Sequence, residues 1–345
     1  MTISTPVYAT REAVREAVDF KDALFSNARI DRALEASART VEGDLKRRFY
    51  PEVATRKFDW PNYSLSATWE LDLGDNEVIE VVSLTAGGNT IPVADIKLRR
   101  GDDKSEPPYN RIEIDLSTSS AFSSGSTFQQ AIEVEALYGY QNTTTPAGAT
   151  AQLINGSVTS LQVTDSGSVG VGAIMKIDNE RILVTNKSML DTTQNLQTSL
   201  DARQNSESVV VQNGAAFFVD EIILIDAERM KIVDIAGNTL IVKRAWDGTT
   251  LAAHTAPTAD IYAPRTLTIV RAFLGTTAAS HSSATAIVCQ SFPGLVTEYS
   301  LALALADTRL GSASYVPETF DNKALRDLCE KAYSAYGRKL RTGAI

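Results

Sequence analysis

The residues whose types and spacing could do chemistry are two acidic pairs and two histidines. Asp178 precedes Glu180 by two positions in a strand-like run, and Asp226 precedes Glu228 in the same way. Neighbours i and i+2 on a strand share one face. Each pair could therefore hold Ca²⁺, or act as two carboxylates in glycoside or peptidoglycan cleavage. His254 and His281 each follow a Gly-Thr-Thr run. A catalytic histidine needs a nucleophile or carboxylate built around one particular copy. Here every candidate occurs twice, which argues for a shared structural task.

Arginines recur with them, Arg244 and Arg271. The expected pairs are Glu228–Arg244 and Glu180–Arg271, ion pairs inside small β-units rather than metal ligands. Trp246 and Phe273 form a further recurrent pair. Exposed, such rings would stack on sugars and make a carbohydrate-binding decoration module. Core packing is the expected use, because aromatic area is mostly spent on burial. The sequence has no P-loop, G-x-S-x-G elbow, HExxH motif or metal-spaced His/Cys cluster, so no enzyme activity, cofactor or metal is expected.

These coincidences come from a duplication that is nested rather than tandem. IMKIDNERILV (174–184) matches IILIDAERMKI (222–232) at an offset of 48 residues, Asp178 to Asp226. TLIVKRAWDGTTLAAH (239–254) matches TLTIVRAFLGTTAASH (266–281) at an offset of 27, Arg244 to Arg271. One unit runs from its first half through the turn Ala236-Gly237-Asn238 to its second half. In the other, that turn is replaced by the whole of the first unit. Hairpin ends lie about 5 Å apart, so an insertion there leaves the outer strand pairing intact. The expected division is an outer β-unit over 150–188 and 265–290, with an inner β-unit over 189–264 inserted in it.

The elements that must carry these units are helical at both ends of the chain. Thr10 is placed to cap a short helix with Val14 and Val18 on one side. A second helix is expected over 27–49, with Ile30, Leu34, Val41, Leu45 and Phe49 on one stripe. Its other face carries Arg32, Glu35 and Arg39, a mixed-sign surface that could meet a neighbouring subunit. Pro51 ends the helices and the period changes to two over 56–149, a β-lobe closing with IEVEALYGY. Helices return after Pro293, with a stripe Leu295, Tyr299, Leu303, Ala306 and Leu310, and again through Leu325, Leu328, Ala332, Tyr336 and Leu340. The reading is an α+β chain: a helical frame over 1–55 and 291–345, split by the β-lobe and the nested units.

Composition sets the limits. The chain has 345 residues, 43% hydrophobic and 22% charged, enough for two or three cored units. No apolar run approaches the ~18 residues of a membrane span. The N-terminus lacks a basic region followed by an apolar one, so synthesis in the cytoplasm is expected. Cys289 and Cys329 fit neither a metal knuckle nor a disulfide framework and read as small buried residues. A net charge of −9 and a pI near 4.9 argue against simple nucleic-acid binding. An acidic wall could still line a DNA passage and let the polymer slide.

YATREAVREAVDFKDALFSNARIDRALEASARTVEGDLKRRFYPE, then RKFDWP, WELDL, VIEVVSLTAGGNTI, PPYNRIEIDL and IEVEALYGY, resembles the start of head–tail connector (adaptor) proteins of long-tailed bacteriophages. PGLVTEYSLALALA is similar to the helix that follows in that family, here displaced past the nested insert. The resemblance covers about residues 7–146 and 291–342. The insert's own pattern is similar to small β-domains of phage structural proteins. The resemblance implies a ring, typically of twelve subunits, between the capsid portal and the tail or a stopper protein, in the neck of the virion. DNA would pass through that ring without specific binding. It also makes the cationic tail Arg338, Lys339 and Arg341 a candidate arm for the portal, alongside simple matching of a helix dipole.

Overall fold

The computed structural model describes residues 2–18, 26–60, 67–100, 105–310 and 322–338. The fold is α+β, and the chain divides into two compact units. One comprises 1–46, 144–273 and 277–345; the other comprises 47–143 with 274–276.

The first unit holds the helices α1 (Arg11–Val18), α2 (Asn27–Leu45), α3 (Gly294–Leu310) and α4 (Asn322–Tyr336). Thr10 caps α1 as its position suggests, its Oγ1 accepting the Ala13 N–H at 3.3 Å. In α2, Ile30, Leu34, Val41 and Leu45 are fully buried on one stripe. The helix stops short of the expected residue 49, because Lys46 turns left-handed at φ 53°. Phe49 therefore lies beyond the helix, in the second unit, with its ring 5.3 Å from that of Tyr140. Helices from opposite ends of the chain pack together. Ser37 and Ser300 share a hydroxyl hydrogen bond of 2.9 Å, and the Tyr299 hydroxyl donates to Asp44 at 2.6 Å. The Arg338 N–H donates to the Leu45 carbonyl at 3.0 Å.

The second unit is the β-lobe. Its strands are β1 (Glu52–Phe58), β2 (Glu70–Asp72), β3 (Val78–Ala86), β4 (Asn89–Thr90), β5 (Ile96–Arg99), β6 (Arg111–Ile114) and β7 (Ile132–Tyr138). They form a sheet in the order β1-β7-β3-β4 and a smaller one in the order β2-β6-β5. Leu84, Ile112, Ile132 and Val134 are buried in one core. The lobe spans 47–143 rather than the expected 56–149. At its start, β1 is an edge strand whose alternation is obscured by charged residues.

The nested units are two small barrels built on shared strands. β8 (Thr144–Ala149), β9 (Ser160–Gln162), β10 (Ile174–Ile177) and β11 (Glu180–Asn195) lead into the inner repeat. There follow β12 (Ser208–Val210), β13 (Ile222–Ile225), β14 (Glu228–Ala236), β15 (Thr239–Lys243), β16 (Asp260–Val270) and β17 (Ala286–Gln290). The first half of β11 pairs with β10 and with the end of β16; β17 and β8 continue the outer sheet, and β9 adds on β16. A bridge between Thr150 and Val163 closes the outer barrel. The second half of β11 and the start of β16 serve the inner barrel with β12–β15, closed by a bridge between Leu196 and Val211. The replaced hairpin has become two long strands that run from one barrel into the next, with a register shift between Ser188 and Leu190 where they cross over. Each barrel has its own core, Met175, Ile182 and Leu267 in the outer and Ile223, Met230 and Leu240 in the inner. The outer barrel begins at Thr144, so β8 belongs to it and not to the β-lobe.

Candidate functional site

In each barrel a tight turn presents an acid to a loop. Asp226 adopts φ 51° between β13 and β14, and Asp178 does the same between β10 and β11. Glu228 and Glu180 follow at the first position of the next strand with their carboxylates fully buried. Arg244 donates Nε to Glu228 Oε1 at 2.7 Å and Nη2 to Oε2 at 2.8 Å. The Ala245 and Ala252 N–H groups donate to the same carboxylate at 2.9 and 3.0 Å. His254 completes the shell, with Nε2 3.0 Å from Glu228 and Nδ1 2.7 Å from Asp226. The outer copy repeats this: Arg271 to Glu180 at 2.7 and 2.6 Å, Ala272 and Ala279 N–H at 3.0 and 3.1 Å, and His281 at 2.9 Å. His281 Nδ1 lies 2.7 Å from Asp178.

The expected Glu–Arg pairs are thus formed, each inside a larger network that also takes in two backbone N–H groups and the histidine of its barrel. Burial alone would raise the pKa of either glutamate, but the arginine, backbone and histidine hydrogen bonds outweigh it and hold both at about 2. Each carboxylate is surrounded by four N–H donors, two from the arginine and two from the backbone, and by a histidine nitrogen. Among the described residues, no group of three or more His, Cys, Asp or Glu is arranged to hold a metal ion. Trp246 is buried, with Lys231 and Lys243 at 5.4 and 5.1 Å from its ring, whereas Phe273 is half-buried.

A third buried network joins the barrels, and sequence reasoning missed it. Glu221, fully buried, accepts Arg265 Nε and Nη2 at 2.8 and 2.7 Å and the Ser166 hydroxyl at 2.6 Å. Ser166 belongs to the outer barrel and Glu221 to the inner. Gly167 permits this approach: a Cβ there would lie 2.5 Å from the Val219 carbonyl oxygen. The available signal was a break in the repeat, since the residues equivalent to Glu221 and Arg265 are the uncharged Ala173 and Asn238.

Helix α1 lies across both barrels. Its first residues hold the outer one: Arg11 N–H donates to the Val171 carbonyl at 3.0 Å, and Val171 N–H donates to Glu12 at 2.7 Å. Farther along, Arg15 pairs with Asp247 at 3.2 Å, and Glu16 with Lys231 at 2.5 Å. Between helix and barrels is a cleft of about 350 Å³ lined by these charges and by Trp246.

The helix-face candidates have different fates. Arg32 is exposed. Glu35 is engaged within the chain, accepting the Ser4 and Thr5 N–H groups at 2.7 and 3.1 Å. Burial opposes the charge of Glu35, and these hydrogen bonds lower its pKa in spite of it. Arg39 donates to the Pro6 carbonyl at 2.8 Å and pairs with Glu42 at 3.0 Å. Arg338 is held near the end of α2, while Lys339 and Arg341 lie outside the described residues. Cys289 is buried in the outer core, where burial pushes its thiol up to about 12; Cys329 is half-buried. No helix among the described residues is long and apolar enough to cross a membrane. No protein-family model, curated protein or solved structure matches the chain.

Proposed function

We propose that this chain is a structural subunit of the neck of a tailed bacteriophage, part of a ring that joins the capsid portal to the tail and lets DNA pass. The observation that carries the reading is the helical frame. Helices α2 and α3, separated by the β-lobe and both barrels in sequence, pack side by side into one element, with Arg29 donating to the Thr308 carbonyl at 2.8 Å. Helix α3 is apolar on nearly every side, and Leu301, Leu303 and Leu305 stay only half-buried in the single chain. A helix hydrophobic all round calls for cover on all its faces, which neighbouring subunits of a ring would supply. The duplicated barrels fit a structural role, because their conserved-in-duplicate polar groups are consumed in holding loops. The net charge of −9 suits a passage from which DNA is repelled. Negative-stain imaging of the purified protein, alone and mixed with its portal, tests the proposal. Rings, formed alone or on the portal, are the expected result; a persistent monomer indifferent to the portal overturns it.

A further inference from the structure

The duplication lets one barrel report what the other lacks. In the outer barrel the loop Gly170-Val171-Gly172 is a docking surface with its occupant in place. Val171 is 1% exposed, its carbonyl and N–H taken by Arg11 and Glu12 at 3.0 and 2.7 Å. Cβ atoms at Gly170 and Gly172 would meet Thr10 and Val7 at 2.6 and 2.7 Å, so both glycines are required for this approach. Beside the loop, Asn186 accepts from Arg11 at 3.4 Å.

The inner barrel builds the same loop at Phe218-Val219-Asp220. Gly172 and Asp220 both have positive φ, and their N–H groups donate to the equivalent carbonyls of Val184 and Ile232 at 2.8 and 2.9 Å. Here the cover is missing. Phe218, Val219 and Val233 are 37%, 47% and 47% exposed, while Thr185, the residue equivalent to Val233, is 7% exposed. The Val219 N–H has no hydrogen-bond partner among the described residues. Three apolar side chains around an unused amide form the same kind of seat, with no cover from the described residues.

We infer that the Phe218–Asp220 loop and Val233 form a docking surface for a polypeptide segment of another protein. The duplicate defines its chemistry: an extended stretch entering a helix, with a carboxylate in the first turn to accept the Val219 N–H, as Glu12 accepts that of Val171. Phe218 and Asp220 replace the two glycines, so the small residues move to the ligand, at the positions of Val7 and Thr10. A second copy's N-terminal segment is not the occupant, since Ile3, Val7 and Tyr8 are already buried in their own chain.

The probe is a dye-labelled peptide of residues 2–18 carrying Val7→Gly and Thr10→Gly, titrated by fluorescence anisotropy into the full-length protein. Saturable binding is expected, at least tenfold tighter than for the unmodified peptide. It should weaken at least tenfold when the peptide carries Glu12→Gln or the protein carries Val233→Asp, with the variant's melting curve showing that it is folded. Absence of saturable binding, or binding indifferent to these changes, overturns the inference.

Discussion

Arg265 grips Glu221 with two hydrogen bonds of 2.8 and 2.7 Å, and together with Ser166 the pair ties the two barrels to each other beside the strands that they share. The guanidinium also reaches the Ala216 carbonyl at 2.6 Å and lies 5.8 Å from the Phe217 ring. Replacing one partner leaves a buried charge uncompensated, which costs about 3–5 kcal/mol. Glu221→Gln should therefore lower stability by that order in urea titration. Glu221→Leu combined with Arg265→Met should recover much of the loss, because no charge is then stranded. A double variant no better than the single one would show that the pair carries more than its own charge balance.

The networks around Glu180 and Glu228 make stability depend on acid. Each carboxylate has a folded pKa of about 2 against an ordinary 4.5. A depressed pKa means that the folded state holds the charged form better than the unfolded chain does. The stabilisation is complete above the ordinary value and is lost as pH falls from there towards 2. Each site contributes on the order of 3 kcal/mol across that window. Urea midpoints measured from pH 6 to pH 2 should fall most steeply below pH 4.5. Glu228→Gln should make that fall shallower.

Two glycine substitutions should have opposite signs. Gly43 lies in α2 with nothing within 4 Å of a Cβ, so Gly43→Ala should stabilise by about 0.5–1 kcal/mol through the unfolded chain's entropy. A Cβ at Gly214 would fall 1.9 Å from the Gly237 carbonyl oxygen, inside the inner barrel. Gly214→Ala must push that hairpin away, and a loss of about 1–3 kcal/mol is expected, as for overpacking elsewhere. Melting temperatures of the two variants decide both signs at once.

The duplication made the Glu–Arg pairs legible, because a polar residue kept in both copies must do the same work in both. Three features were hidden. The segment Thr144–Ala149 has the composition of a loop, yet it forms β8: Pro146, which has no N–H to donate, lies opposite Val288 of β17, ahead of the Thr150–Val163 bridge that closes the barrel. Glu221 and Arg265 were overlooked for the opposite reason: they break the repeat, and a search for agreement between copies passes over what only one copy has. Closure into barrels depends on single bridges such as Leu196–Val211, which no periodicity records.

Lys231 gives a test of how α1 is held. Its ammonium is buried beside Trp246 and meets Glu16 of α1 and Asp220 of the inner barrel, the latter at 3.0 Å. Burial favours the neutral amine, but the hydrogen bonds to Glu16 and Asp220 outweigh it and raise the pKa. Glu16 itself is 62% exposed, so its pairing with Lys231 is open to salt. In a double-mutant cycle with Glu16→Gln and Lys231→Met, a coupling of about 0.5–1 kcal/mol is expected at low ionic strength. At 1 M salt, where screening acts over about 3 Å, the coupling should shrink towards zero. Hydrogen exchange of the α1 amides should accelerate in parallel, as the helix loses one of its ties to the barrels. Coupling that persists unchanged at high salt would mean that packing of the Lys231 stem on Trp246, rather than charge, holds the end of the helix in place.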